Sequence, residues 1–171
     1  MTTRRSAKHP TRAALAAAAA VLCVPGLAEE GGLERFAGRW EVRVNTLQPE
    51  RKSVIYPEVY EWVLGRRFLR GYSERPEEGT EEVIYATYDA RIRGYPFWIF
   101  SSTGTYTYLP PASWNPATRT MAWDSPREWD IVYKGRCVFP DDDTRHCELI
   151  VKDWKGKVLL EQESSAVRQG G

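Results

Sequence analysis

Short segments rich in apolar residues, separated by turn residues, run along the chain from residue 39 to residue 167. Several of them alternate: Trp40, Val42 and Val44 are apolar, and the residues between them are polar. A period of two is typical of an antiparallel sheet with one buried face. The segments favour β-branched and aromatic residues. We therefore predict strands at 39–47, 53–64, 66–74, 81–89, 95–102, 104–109, 118–124, 128–139, 145–154 and 157–167.

The order and spacing of these segments predict the fold class. No segment after Glu30 has a long helical period, although Glu29 to Phe36 is predicted to form a short helical lead-in. The run from Pro110 to Ser113 is predicted to be a loop. About ten short strands can form a sandwich or a barrel, but short connections favour an up-and-down meander. Closing the meander removes exposed edges, so we predict an all-β fold, a single antiparallel up-and-down β-barrel of about ten strands.

The first 28 residues have the pattern of a secretory signal peptide. Four basic residues and no acid precede an apolar stretch from Ala13 to Val24, and small residues end at Ala28, the predicted cleavage point. The stretch is shorter than the roughly 20 residues that span a bilayer, so no stable membrane span is predicted. Arg4-Arg5 leaves a twin-arginine route open beside general secretion. We expect a periplasmic or secreted protein, with residues 29–171 as one β-barrel domain.

Cleavage would also change the charge of the chain. Residues 1–28 contain four of the 24 basic residues and none of the 23 acids, so residues 29–171 carry a net charge of −3. A chain that is not basic gives no electrostatic support for a nucleic-acid partner. The sequence makes no prediction of the oligomeric state.

Cys137 and Cys147 are the two cysteines left after cleavage. Between them lies the turn-forming run Pro140 to Asp143, flanked by strand-like residues, which predicts a hairpin centred on Asp142. Such a hairpin places the two cysteines opposite each other, near disulfide reach. An even pair in an exported chain predicts a disulfide bond, and two buried free thiols are the alternative.

Five short motifs, spread over most of residues 29–171, resemble those of a family of exported bacterial proteins of uncharacterised function, the DUF1579 family. The first, Phe36-Ala37-Gly38-Arg39-Trp40, also resembles the Gly-x-Trp opening of the calycin, or lipocalin-like, barrels. The others are residues 62–69, 87–89, 98–104 and 114–118. Arg66 departs from the family pattern, which usually has a glycine there. The resemblance implies a calycin-like barrel and assigns no activity.

In calycin barrels the tryptophan of this motif closes the base of the barrel, and a basic side chain from the last strand packs across it. The resemblance therefore implies structural roles for Trp40 and Arg168, with Arg168 as a cation–π partner.

Motifs for catalysis or cofactor binding are absent from the sequence. There is no Gly-x-Ser-x-Gly elbow, no His-Glu-x-x-His and no phosphate-binding glycine loop, so we predict no catalytic residue, no metal site and no cofactor. His146 is the one histidine after cleavage, and a surface hairpin position is expected for it rather than haem ligation. Asp141 to Asp143 is expected to be a solvated turn rather than a calcium site.

Aromatic residues on the predicted inward faces provide the candidate ligand site. Tyrosine and tryptophan rings combine an apolar body with one polar atom, which suits an apolar or amphiphilic small molecule. An arginine on the strand after Gly65 could bind a carboxylate of that molecule. The predicted ligand-binding residues are Tyr60, Trp62, Arg67, Tyr88, Trp98 and Trp123.

The sequence thus favours an exported barrel that binds a small hydrophobic ligand and is not an enzyme. Two alternatives stay open. One is an enzyme that uses carboxylates at the barrel mouth, for which Glu58 and Glu61 are candidates. The other is a filled barrel with a structural or interaction role, in which the rings pack the interior.

Overall fold

The computed structural model describes residues 31–75, 77–126 and 128–170. A short 3₁₀ helix (Leu33–Arg35) is followed by ten strands. The strands are β1 (Gly38–Gln48), β2 (Lys52–Val63), β3 (Phe68–Arg75), β4 (Thr80–Ala86), β5 (Tyr95–Ser101), β6 (Tyr106–Asn115), β7 (Thr120–Asp124), β8 (Ile131–Val138), β9 (Thr144–Asp153) and β10 (Val158–Gln169).

Each strand pairs antiparallel with the next along the chain, and β1 pairs with β10 to close the barrel. The predicted all-β, ten-strand, up-and-down barrel is confirmed. The end that holds the 3₁₀ helix is called the base, and the end where β1 finishes and β2 begins is called the mouth. The predicted signal peptide lies outside the described residues. Across those residues, no helix is both long and apolar enough to cross a membrane.

The loop predicted at Pro110 to Ser113 is wrong, because these residues belong to β6. Tyr95 pairs with Ala112 and Phe97 pairs with Leu109, so two residues of β6 stand opposite the single residue between Tyr95 and Phe97. This is the arrangement of a β-bulge. A bulge interrupts the ladder of hydrogen bonds, and two prolines that lack an N–H are tolerated there for that reason.

A layer of side chains around Trp40 closes the base. The guanidinium carbon of Arg168 lies 4.3 Å from the centre of the Trp40 ring, and the indole N–H donates to the carbonyl of Phe36 at 2.7 Å. Arg168 also donates to the carbonyls of Ala37 and Asp142. Gly38 is required here, because its φ of +121° suits glycine and a Cβ atom would overlap the Arg168 guanidinium. The C-terminal strand is thereby joined to the start of the barrel.

The predicted disulfide is confirmed. Cys137 on β8 and Cys147 on β9 are direct partners in the register, with their Cα atoms 4.1 Å apart. The hairpin between them turns at Asp141 to Asp143, and Asp142 forms ion pairs with Arg35 and Arg119. The turn is therefore a structural part of the base.

Reduction of this disulfide is expected to lower the free energy of unfolding by about 2–3 kcal/mol. A crosslink that closes a loop of about ten residues restricts the unfolded chain by that amount. Urea denaturation with and without dithiothreitol measures the effect. A Cys137→Ala, Cys147→Ala variant is the control and should not respond to the reductant. An unchanged midpoint for the native chain under reductant would contradict the prediction.

Candidate functional site

A cavity of about 200 Å³ lies inside the barrel. Three inward residues near the base are almost completely buried, namely Trp40 and Val42 on β1 and Ala166 on β10. Their inward neighbours toward the mouth, Val44 and Ser164, are only partly buried although they point to the same interior. The interior is thus packed at the base and becomes open toward the mouth.

The cavity has two chemically different walls. Strands β4 to β7 contribute only apolar or aromatic residues: Ile84, Phe97, Ile99, Leu109 and Trp123. The inward polar side chains come from β2, β9 and β10, on the opposite side of the barrel: Tyr56, Glu58, Tyr60, Arg145, Gln162 and Ser164. A molecule inside the cavity therefore meets an apolar surface on one side and polar groups on the other.

A buried ion pair forms the floor of the polar wall. Arg145 donates to Glu58 at 2.6 Å, and the two residues are 4% and 7% exposed. The rings of Phe36, Trp40 and Tyr60 surround the guanidinium, with centres 5.2–5.7 Å from its carbon atom. Burial lowers the pKa of Arg145, but Glu58 and Tyr60 together outweigh this effect through their charges and hydrogen bonds, so the pKa lies above its ordinary value. Burial, together with Glu58, raises the pKa of Tyr60, so this phenol stays neutral.

A second charged cluster lies on β2 to β4 near the mouth. Arg75 donates to Glu82 at 2.8 Å and to the Tyr56 hydroxyl at 3.2 Å, and its guanidinium carbon is 4.7 Å from the centre of the Tyr56 ring. Glu78 pairs with Arg75 at 3.6 Å and with Lys52 at 2.7 Å. Burial raises the pKa of Glu82 above its ordinary value, although the charge of Arg75 acts in the opposite direction. The basic side chains of this cluster, Arg75 and Lys52, are therefore neutralised by its acidic side chains, Glu78 and Glu82.

Two polar side chains on β10 have hydrogen-bonding capacity to spare. Gln162 lines the cavity, and its amide nitrogen donates to the Thr46 hydroxyl at 3.0 Å, while its carbonyl oxygen has no hydrogen-bond partner among residues 31–75, 77–126 and 128–170. The Ser164 hydroxyl likewise has no partner within those ranges. Gln162 and Ser164 occupy successive inward positions of one strand, so they flank the same part of the cavity.

Two of the six predicted ligand-binding residues line the cavity, namely Tyr60 and Trp123. Trp62 also points inward but lies at the base, where its indole N–H donates to Glu34 at 2.9 Å. Tyr88 lies in the connection between β4 and β5, and its ring centre is 5.1 Å from that of Tyr95. Trp62 and Tyr88 therefore belong to the packing of the base.

Arg67 and Trp98 are outside the barrel interior. Arg67 is in the turn between β2 and β3 rather than on a strand, and it is exposed. Trp98 lies on the outer face of β5, where its ring centre is 5.7 Å from that of Tyr108. Every position of β5 before Ser101 is apolar, so alternation does not show which face is inward, and a shift of one residue reverses the faces.

Three inward polar residues of the cavity were not predicted from the sequence, namely Arg145, Gln162 and Ser164. The alternation of inward and outward residues along β9 and β10 could have identified them. Arg145 precedes Cys147 and Leu149 at spacings of two on β9, and Gln162 and Ser164 follow the inward face of β10 in the same way. Inward polar residues on an amphipathic strand are candidate site residues, because burial of a polar group requires a partner.

Metal binding receives no support from the part of the chain that the structure describes. No group of three or more His, Cys, Asp or Glu side chains comes together there. His146 is exposed on the outer face of β9, beside the inward-facing Cys147.

No protein-family model and no curated protein matches the chain. Among solved structures, an S-type phycobiliprotein lyase, CPES, from Guillardia theta matches with a TM-score of 0.53 at 14% identity, over 85% of this chain and 95% of that chain. A protein of unknown function of the DUF3598 family from Nostoc punctiforme PCC 73102 matches with a TM-score of 0.49 at 10% identity, over 80% of this chain and 48% of that chain. This chain thus spans about half of the second protein. At 14% identity the likeness to the lyase shows the fold alone, which is a β-barrel.

Proposed function

We propose that this protein is an exported barrel that binds one small hydrophobic or amphiphilic molecule in its interior. The observation that carries the proposal is the cavity with an apolar wall on β4 to β7 and a polar wall on β2, β9 and β10. Ligand sites are typically concave and mostly apolar, with a few polar groups that orient the ligand. Because the cavity is small, one compact molecule would fill it.

Export to an oxidising compartment is part of this proposal. The Cys137–Cys147 disulfide supports it, since such bonds persist mainly in the periplasm or outside the cell. The signal-like residues 1–28 support it as well. Membership of the DUF1579 family stays a prediction, because its support is the set of short motifs and the calycin-like fold.

The interior carboxylates favour binding over the enzyme alternative. Glu58 lines the cavity but is ion-paired with Arg145, and Glu82, whose pKa is raised, is ion-paired with Arg75 outside the cavity lining. A general acid or base needs a carboxylate that can reach a substrate proton. A wholly filled structural barrel is opposed by the cavity itself.

Native mass spectrometry of the chain purified after expression of the full sequence tests this function. We expect an additional bound mass that denaturation removes. A Ser164→Phe variant places a ring in the cavity and should lose this mass. Ser165→Phe puts the same ring on the outer face of the same strand and should keep it. Circular dichroism confirms that both variants fold.

The proposed function would be overturned by two results together. These are the absence of a bound mass on the native chain and the failure of that chain to bind the small aromatic probes p-cresol and p-xylene. Equal retention of a bound mass by the Ser164→Phe and Ser165→Phe variants would place the ligand outside the barrel interior.

A further inference from the structure

We propose that the ligand is an uncharged molecule of about the size of one substituted ring, and that its hydroxyl group bonds to Gln162 and Ser164 on β10. This inference rests on the proposed function and specifies the ligand class.

The size follows from the cavity volume. An apolar cavity of about 150 Å³ inside a protein holds a benzene molecule. The cavity here measures about 200 Å³, which leaves room for a ring with one or two small substituents. A fused multi-ring molecule or a long acyl chain would exceed this volume and would have to extend out through the mouth of the barrel.

The absence of charge on the ligand follows from the pairing of the charged side chains inside the barrel. Glu58 is paired with Arg145, and Arg75 is paired with Glu82 and Glu78. A charged ligand would have to enter without a free counter-charge or would have to break one of these pairs. Either event is costly in a buried site. An uncharged ligand leaves both clusters intact.

The hydroxyl group follows from the hydrogen-bonding groups that Gln162 and Ser164 leave unpaired on β10. The Gln162 carbonyl can only accept a hydrogen bond, and one of the two N–H groups of the same amide donates to the Thr46 hydroxyl. The Ser164 hydroxyl can both donate and accept. A hydroxyl on the ligand is complementary to this pair, because it donates to Gln162 and accepts from Ser164. An ether or a ketone could bind Ser164 but would leave the Gln162 carbonyl unused.

The two walls also set the orientation of the ligand. Because β10 lies across the barrel from β5, a hydroxyl group at Gln162 and Ser164 points the ring toward Phe97, Ile99 and Leu109. The apolar wall then buries the part of the ligand that carries no polar atom.

Isothermal titration calorimetry with p-cresol and p-xylene tests the inference, because the two molecules differ only by a hydroxyl in place of a methyl group. We expect Gln162→Leu to weaken p-cresol binding by roughly five- to tenfold, the usual effect of losing one hydrogen bond in a buried site. Binding of p-xylene should change by less than about twofold, since leucine is apolar and of similar size.

Ser164→Ala is expected to weaken p-cresol binding selectively in the same way. Ser165→Ala removes the same hydroxyl from the outer face of β10 and is the matched control, for which no change is expected. The anion 4-methylbenzoate should bind more weakly than p-cresol to the native chain.

The possible outcomes separate the inference from the proposed function. Equal losses for p-cresol and p-xylene in the Gln162→Leu variant would overturn the hydroxyl assignment and leave the binding function standing. Tighter binding of 4-methylbenzoate than of p-cresol would overturn the uncharged class. If all three probes failed to bind the native chain and that chain also carried no co-purified mass, both the inference and the proposed function would be overturned.

Discussion

Replacement of Arg145 by methionine is expected to lower the free energy of unfolding by about 3–5 kcal/mol. The substitution keeps an unbranched apolar side chain at this position but leaves Glu58, which is 7% exposed, without its counter-charge. Removal of one partner of a buried ion pair has a cost of this size, because the other charge stays desolvated. Urea denaturation at neutral pH, followed by tryptophan fluorescence, measures the loss.

A second substitution distinguishes the unpaired charge from lost packing. The double variant Arg145→Met, Glu58→Gln has no buried charge and is expected to recover most of the stability. Arg43→Met removes an exposed arginine from the outer face of β1 and should change stability by less than about 0.5 kcal/mol. If Arg145→Met behaved like Arg43→Met, the Glu58–Arg145 pair would have to be solvated in solution.

Trp40→Ala is expected to have an effect of similar size, about 3–5 kcal/mol, since truncation of a buried tryptophan leaves a large cavity. Trp40 is 1% exposed and packs beneath both Arg145 and Arg168. The variant also removes the N–H that donates to the Phe36 carbonyl, so the connection between the 3₁₀ helix and the barrel is weakened. Thermal and urea denaturation by circular dichroism measure the loss.

Trp154→Ala is the matched control for this prediction. Trp154 lies in the turn between β9 and β10 and is 71% exposed, so its truncation should change stability by less than about 0.5 kcal/mol. Trp40→Phe keeps an aromatic ring for the cation–π contacts and should lose less than Trp40→Ala. A loss for Trp40→Ala below about 1 kcal/mol would show that Trp40 does not hold the base together.

The alternation of apolar and polar residues was sufficient to predict the ten strands and the closed, up-and-down barrel. Strand periodicity is a local property, and short connections allow only neighbouring strands to pair. The disulfide was predictable for the same reason, because a tight turn between Cys137 and Cys147 sets their register. The prediction was wrong where the local signal was ambiguous, at Trp98 on the uniformly apolar β5 and at the prolines within β6.

The polar wall of the cavity depended on the tertiary structure. Glu58 and Arg145 are 87 residues apart in the chain and lie on strands that are not neighbours, so their contact crosses the interior. A pattern over a few consecutive residues cannot predict a contact between two residues so far apart in the chain. The sequence by itself determined the strands, their order and the hairpin disulfide, since these depend on periodicity and turns. Only barrel closure decided which inward polar residues meet across the interior and which, like Gln162 and Ser164, keep an unpaired hydrogen-bonding group within the described residues.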